Sequence, residues 1–422
     1  MTKRAITLAG GGPAAGLHIG ALSRLAKAGI TFDVWALSCI GAWVGLVYNQ
    51  YDPDKDAVKA ADRTYEFFKN GVFRDDLTYS RFPINGVFGP DWTANTKSLM
   101  RFLANPDTYD KLFLPEKIMT AWQESVRFMF DRSRWTEGDF NQLILNHGLA
   151  VNPFIRFMTS MMFLSEVHGL ARIHYPDSAF MKGIDFEKLK TVKPFLFHNA
   201  YNLTTNELDL FCNKDEEDWR NKKYQPISAA SLCACSALPY IEQTVKINGD
   251  TYCEGALVDT VSFKNLIEDH PDLDEIWISR IVDDKQIREP RNLTDALSNL
   301  CQLFAATVGE DDIDLFKYHV QRDDKWHGTI VEIQVSRNIN FEWCHSNLDL
   351  GRQLGSDAAG AAYAEYMRQT RGERNATGKV RIVGAKDHSP DGGKGGGSDK
   401  RLSSTDKVRP LARKGSLTAE AG

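Results

Sequence analysis

The chain has 422 residues, 42% apolar and 25% charged, enough for one large α/β domain with insertions or two ordinary domains. Its 51 Lys+Arg against 56 Asp+Glu leave a net charge of −5, spread along the chain, which argues against the concentrated basic face of a dedicated nucleic-acid binder. The seven cysteines contain no CxxC pair, so neither a disulfide framework nor a zinc ribbon is indicated, and a reducing cytosol is the expected setting.

After Met1-Thr2-Lys3-Arg4 an uncharged run extends to Ser23, but Gly10-Gly11-Gly12-Pro13 interrupts it where a signal peptide needs a continuous apolar segment. Residues 4–9 read as a short strand entering a glycine loop. Residues 17–28 follow with helical spacing (Leu17, Ala21, Leu22, Leu25), and Gly29 stands where a helix would end. Residues 31–36 predict a second strand, and a second helix starts at Ile40. The uncharged run 34–51 has nearly spanning length, yet Ser38, Cys39, two glycines and Asn49 suit a strand–turn–helix better than a membrane helix. Strand, helix, strand, helix at this spacing predicts a parallel sheet.

From about 51 to 185 the pattern is helical and rich in Phe, Trp and Met. Residues 116–130 place Ile118, Trp122, Val126 and Met129 on one face. Asn152-Pro153 caps a helix carrying Phe154, Ile155, Phe157, Met158, Met161, Met162 and Leu164, apolar nearly all round. That composition fits a buried helix or, alternatively, a lid or acyl-chain wall. Strand-like segments return at 194–200, 244–247, 275–281 and 329–335. Residues 294–308 have helical period, and the Ala-rich stretch 355–369 predicts the helix that closes the body. From Arg371 onward ten of 52 residues are Gly, with 12 Lys+Arg against 6 Asp+Glu. A disordered, solvated basic tail is expected over 371–422, with contact to acidic lipid as the alternative.

Three pieces carry chemistry. In the loop Ala9-Gly10-Gly11-Gly12-Pro13-Ala14-Ala15-Gly16, glycines let backbone N–H groups converge on an anion at a helix start. A phosphate-binding P-loop needs Lys-Ser/Thr after Gly16, where this chain has Leu17-His18. A dinucleotide fingerprint needs Gly at Ala15 and an acid closing the second strand, whereas Asp33 lies near its start. The second piece, 32–42, puts a small nucleophile at a strand-to-helix turn, the geometry of a nucleophile elbow. The third, Tyr252-Cys253-Glu254-Gly255-Ala256, offers an acid on a turn after the strand carrying Val245 and Ile247.

In this order the pieces resemble the patatin-like phospholipase family: a glycine-rich oxyanion loop, a G-x-S-x-G elbow, then an Asp-Gly-Gly/Ala turn whose Asp pairs with the Ser. Leu37-Ser38-Cys39-Ile40-Gly41 falls on the elbow. Ala200-Tyr201-Asn202-Leu203-Thr204-Thr205, and Ala230-Ser231 with Ser236-Ala237-Leu238-Pro239, resemble two supporting stretches. The resemblance covers residues 4–50 and 194–265 and extends to about 368. It implies a three-layer α/β/α fold with a mostly parallel sheet over 1–370, interrupted by a helical insertion at about 52–190. The departures are specific. Cys39 stands at the serine position, Ser38 is one place early, Leu37 replaces the first elbow glycine, Glu254 replaces Asp, and Ala14 replaces the loop's usual basic residue.

The resemblance therefore implies Cys39 as nucleophile and Glu254 as proton acceptor, with Gly10, Gly11 and Gly12 forming the oxyanion hole. Ser38, Gly41 and Gly255 support them. A helix N-terminus lowers a thiol pKa, whereas a facing carboxylate raises it. The implied activity is hydrolysis of a lipid acyl ester without metal or organic cofactor. The alternatives are thioester cleavage or acyl transfer, or a catalytically inactive lipid- or partner-binding scaffold. No nucleic-acid or metal partner is expected, and location is expected to be cytoplasmic, with peripheral contact at membranes or lipid inclusions. Asp259 is the alternative acid. His18 is expected to be structural, and Cys233, Cys235, Cys301 and Cys344 to be packing residues. Glu310-Asp311-Asp312 with Asp314 is expected at a helix N-terminus, where acids are favoured.

Overall fold

A ten-stranded, mostly parallel sheet carries the three motifs to one end of the molecule. The structure, a computed structural model, describes residues 2–384 apart from 82–86, 90–91, 111–114, 150, 165–168, 174–177, 215, 222, 281–288, 291–292, 323–325, 336, 338 and 341. The sheet comprises β1 (Arg4–Leu8), β2 (Val34–Leu37), β3 (Phe195–Asn202), β4 (Glu207–Cys212), β5 (Tyr224–Pro226), β6 (Val245–Ile247), β7 (Asp250–Glu254), β8 (Glu275–Ser279), β9 (Thr329–Ile333) and β10 (Arg381–Val383). Their order is β10-β9-β8-β1-β2-β3-β7-β6, with β4 beside β3 and β5 beside β4. Leu8 is level with Ser279 on one side and Leu37 on the other, so the loops after β1, β2 and β8 emerge together. Open parallel sheets bind ligands at that end.

Side-chain alternation builds two cores. Ile6, Leu8, Trp35, Leu37 and Trp277 face one side, while Ala5, Val34, Ala36, Ile276 and Ile278 face the other. The first face is covered by α1 (Ala15–Lys27), α2 (Ile40–Asn49), α3 (Pro53–Gly71), α4 (Ala229–Cys235) and, much later in the chain, a long helix at His345–Thr370. The second is covered by α5 (Phe263–Asp269) and α6 (Leu293–Arg322), with that long helix numbered α7. The result is the expected three-layer α/β/α arrangement.

Helices α1 and α7 lie against each other through Gly16, Gly20, Gly351 and Gly355. A Cβ on Gly20 would overlap the Arg352 carbonyl, and one on Gly355 would overlap the Leu17 carbonyl. The predicted closing helix thus begins about one-third of its length earlier than expected, at His345. Its first turns carry Asn, Asp, Arg and Gln and bury Leu348 and Gly351 instead of a broad apolar stripe, so apolar period alone misses them.

Two predicted boundaries move. Helix α3 buries Ala60, Ala61 and Phe68 in the first core, and Phe180 stacks on Trp43 at 4.3 Å, so both ends of the 52–190 segment belong to the helical layer. Between them lie Trp92–Ala104, Pro115–Phe130 and Pro153–Leu164, tied down by a small sheet of Phe88–Gly89, Gly169–Ile173 and Tyr240–Glu242. Ile118, Trp122 and Met129 are exposed, Ala121 is buried and Val126 and Phe128 are partly buried, so most of the predicted apolar face of the Pro115–Phe130 helix is open. Phe154, Ile155 and Met158 are exposed as well, which contradicts a fully buried helix. The side chains of Met161, Met162 and Leu164 lie outside the described residues. Among the described residues no helix is long and apolar enough to cross a membrane.

The second boundary is the tail. Arg371 ends α7 in a left-handed turn (φ 55°), and β10 then pairs in parallel with β9. Asn375 Nδ2 donates to the His327 carbonyl at 2.8 Å, and Val383 is buried. A disordered tail starting at Arg371 is therefore too long by this strand, and residues 385–422 lie outside the described residues. Truncation after Gly384 is expected to leave the melting temperature unchanged. Truncation after Thr370 should lower it by several degrees, because it strips an edge strand and uncovers β9; differential scanning calorimetry separates the two.

Candidate active site

Gly10 is where the three motifs meet. A Cβ built on it would stand 3.0 Å from Cys39 Cβ, 3.2 Å from Ala256 Cβ and 3.6 Å from Glu254 Oε1. Only a residue without a side chain lets the loop pass this close to the elbow and the acid. The loop continues through Gly11 (φ 154°) and Gly12 (φ 58°), conformations that L side chains rarely adopt. Pro13 then opens a short 3-10 turn leading into α1.

Cys39 sits between β2 and α2 with φ 48° and ψ −121°, a strained conformation costing on the order of 1–3 kcal/mol. Two neighbours permit this turn. A Cβ on Gly41 would overlap the Leu8 carbonyl, and Gly45 packs on the Leu37 side chain, so α2 crosses β1 and β2 at close range. The missing first elbow glycine is thus tolerated, because Leu37 turns into the core beneath α2. Ser38 is buried and its Oγ donates to Asn199 Oδ1 at 3.4 Å.

Glu254 ends β7, a strand of its own rather than a turn after the Val245–Ile247 strand, and Gly255–Leu257 forms the 3-10 turn beyond it. Its carboxyl group faces Cys39 beside Gly10, and both residues are buried. Burial, then the facing carboxylate, pushes the Cys39 thiol well above the ordinary cysteine range. Burial likewise raises Glu254 to about 7, against the opposing pull of the facing thiol. The helix N-terminus therefore does not make Cys39 a resting thiolate. The pair rests as a neutral thiol beside a carboxyl group that burial holds above the usual carboxylate range.

Two residues that the sequence reading did not assign to the site hold this geometry. Asn199, buried within β3, accepts from Ser38 and donates through Nδ2 to the Asp259 carbonyl (2.7 Å) and Ser262 Oγ (3.2 Å). Its Oδ1 comes so near Gly255 that a Cβ there would lie at 2.5 Å. The sequence signal is weak, because the same strand also carries His198 and Asn202. Cys235, expected only to pack, accepts the Cys39 backbone N–H on its Sγ at 3.1 Å. The Ser228–Ser231 capping box starts α4 so that its last turn reaches the elbow, where Trp43 Nε1 donates to Ser236 Oγ at 2.6 Å and Glu254 N donates to the Ala237 carbonyl at 3.0 Å.

Other candidates have structural partners. His18 is fully buried, Nε2 donating to the Ala9 carbonyl and Nδ1 accepting from Ser279, each at 2.9 Å; burial lowers it to about 4. Neutral His18 thus ties the loop entrance to β8. Asp259 accepts from the Val261 and Ser262 amides at 3.1 and 2.6 Å, shaping the turn before α5. Cys233 and Cys344 are buried, and the Cys301 side chain lies outside the described residues. The run Glu310-Asp311-Asp312 with Asp314 lies inside α6, not at a helix N-terminus. Tertiary contacts explain it: Asp312 accepts from Thr260 N and Oγ1 at 2.9 and 2.8 Å, anchoring the segment after Glu254, and Glu310 pairs with Arg280 at 3.4 Å.

A glycine loop, a strained elbow and a buried acid at the carboxyl end of a parallel sheet define the class: an α/β/α protein of the nucleophile-elbow type. The family model described as "Patatin-like phospholipase" matches residues 6–267, and the chain belongs to that family. A crystal structure of VipD from Legionella pneumophila matches with 13% identity and a TM-score of 0.35, over 86% of this chain and 67% of that one. No curated protein matches this sequence.

Proposed function

We propose that this protein cleaves the carboxylic ester of a lipid-type acyl group through an acyl-enzyme on Cys39. The observation that carries the reading is the convergence of Cys39 and the Glu254 carboxyl group on Gly10 of the glycine loop. Because the thiol rests protonated, attack requires a base, and Glu254 is the group in reach. Sγ forms a bond to the acyl carbon while its proton passes to Glu254, and the carbonyl electron pair moves onto oxygen. The N–H groups of the Gly10–Gly12 loop, chiefly those of Gly11 and Gly12, offset that charge. Collapse expels the alcohol, which takes the proton from Glu254. Water then gives a proton to Glu254 and attacks the thioester, and the proton returns to Sγ as the acid leaves.

A second reading, thioester cleavage or acyl transfer, is favoured by the raised thiol, since an uncharged sulfur needs an activated acyl donor. A panel of p-nitrophenyl esters, acyl-CoAs, phospholipids and polyester granules, assayed side by side, separates the two. Intact-protein mass spectrometry during turnover should find the acyl group on Cys39, whichever donor serves. Turnover of acyl-CoAs alone selects the second reading. No turnover and no adduct across the panel leaves an inactive scaffold and overturns both.

A further inference from the structure

The elbow cysteine has a second cysteine against it, and both are free thiols. Cys235 Sγ lies 3.1 Å from the Cys39 backbone nitrogen. Adding the N–Cα bond, about 1.5 Å, puts that sulfur within about 4.6 Å of the Cys39 Cα. A disulfide holds its two Cα atoms about 4.4–6.8 Å apart. Closing a bond between these two sulfurs therefore calls for side-chain rotation at the elbow rather than movement of a strand or helix.

Both partners are held in place. Cys235 ends α4, and the next two residues are pinned: Ser236 Oγ accepts from Trp43 Nε1 at 2.6 Å, and the Ala237 carbonyl accepts from Glu254 N at 3.0 Å. Cys39 is fixed by the close crossing of Gly41 over the Leu8 carbonyl. Groups positioned in this way react as if at very high concentration. Other cysteines have other neighbours: Cys212 donates to the Lys214 carbonyl at 3.0 Å, and Cys344 lies 3.4 Å from Ser346 Oγ. Burial sets an order of attack. Cys39 is 9% exposed and Cys235 is 0% exposed, so a dissolved oxidant meets Cys39 first and Cys235 only through it.

We infer that Cys39 and Cys235 form a reversible disulfide, with hydrogen peroxide as the oxidant, and that this bond closes the site to acyl substrates. In the first step Cys39 Sγ attacks one peroxide oxygen and passes its proton to Glu254. The O–O bond breaks, the departing oxygen takes that proton and leaves as water, and Cys39 becomes a sulfenic acid. In the second step Cys235 Sγ attacks Cys39 Sγ. The sulfenic hydroxyl takes the Cys235 proton and leaves as a second water. The two sulfurs together lose two electrons and the peroxide gains them. A thiol reductant reverses the change by exchange. Serine at position 39 could not take part, so the substitution that sets this elbow apart from its family is the one the switch requires. The inference uses the Cys39–Glu254 pair of the hydrolase reading, but it needs no acyl turnover.

The test treats the reduced full chain with hydrogen peroxide, blocks remaining thiols with N-ethylmaleimide and maps non-reduced tryptic peptides by mass spectrometry. The expected product joins peptide 28–55 to peptide 224–246, with fragmentation placing the bond on Cys235 and not on Cys233. Hydrolysis should fall in proportion to the cross-linked fraction and return with dithiothreitol. In Cys235→Ser, which keeps an acceptor for the elbow amide, the cross-link should disappear. Cys39 should then run on to sulfinic acid, which dithiothreitol does not reverse. In Cys39→Ser, Cys235 should stay unoxidised. Peroxide-treated parent in which Cys39 is unchanged, or carries only sulfinic acid, overturns the inference. So does a bond to Cys233, or one that forms only after denaturation. The mass map reads the bond without reference to turnover, so a parent inert toward every acyl donor defeats the hydrolase reading and leaves this one standing on the cross-link.

Discussion

Replacing Cys39 with alanine is expected to lower kcat/KM for a lipid or p-nitrophenyl ester by about 10⁴-fold or more, the scale on which removal of a covalent nucleophile acts. The fold should survive. Alanine keeps the Cβ that already tolerates φ 48°, and the Cys39 backbone N–H still reaches Cys235 Sγ. Circular dichroism and melting temperature control for this, and the readout is steady-state hydrolysis plus the absence of an acyl adduct. Unchanged hydrolysis would move the nucleophile. Ser38 is the adjacent hydroxyl, but it is buried and donates to Asn199, so a Ser38→Ala variant should remain active.

Glu254→Gln should move activity and stability in opposite directions. Glutamine can accept a hydrogen bond from the thiol but cannot take its proton, so a loss of 10²–10⁴-fold in kcat/KM is expected. In the parent, kcat/KM should rise about tenfold per pH unit up to about 7, the pKa to which burial raises Glu254, and then level off. The stability sign follows from the same shift. Below the unfolded value near 4.5 both states are protonated and burial of the carboxyl group carries no charge penalty. Between there and about 7 the unfolded chain ionises first, and the native state loses about 1.4 kcal/mol per unit. At pH 8 the whole penalty is present, on the order of 3 kcal/mol, and Gln removes it. The variant should therefore melt higher than the parent at pH 8 and nearly level with it at pH 4. A variant that melts lower at pH 8 would show that Glu254 is net stabilising and not held against its own solvation.

Much of this arrangement is legible in the amino-acid order. The short apolar runs of β1 and β2, the glycine loop and the turn at Cys39 lie within fifty residues of one another, so local pattern suffices there. Cys39 and Glu254, more than two hundred residues apart, could be paired through the family resemblance. What stayed hidden depends on contacts without a local signature. Cys235 reads as one more small apolar residue, and nothing in its neighbours shows that it receives the elbow amide. Asn199 shares its strand with His198 and Asn202, and its three partners lie in the turn after β2 and the turn leading into α5. The acidic run of α6 resembles a helix start because acids do favour that position, and tertiary anchoring at Thr260 overrode the preference. The insertion helices were recognised as helices, but amphipathic period does not say which side meets the protein, and Trp122 and Phe154 stand exposed.

The glycine seam between α1 and α7 has a consequence for biosynthesis. The oxyanion loop runs directly into α1, and α1 is seated by Gly351 and Gly355, close to the other end of the described chain. At roughly 5–20 residues per second, tens of seconds separate the emergence of these two helices from the ribosome. During that interval the loop, the elbow and β2 exist without the helix that fixes their neighbour, and β8 has not arrived to meet His18 through Ser279. A nascent chain therefore carries Cys39 at an unfinished turn, and the glycine loop is seated only when synthesis passes α7.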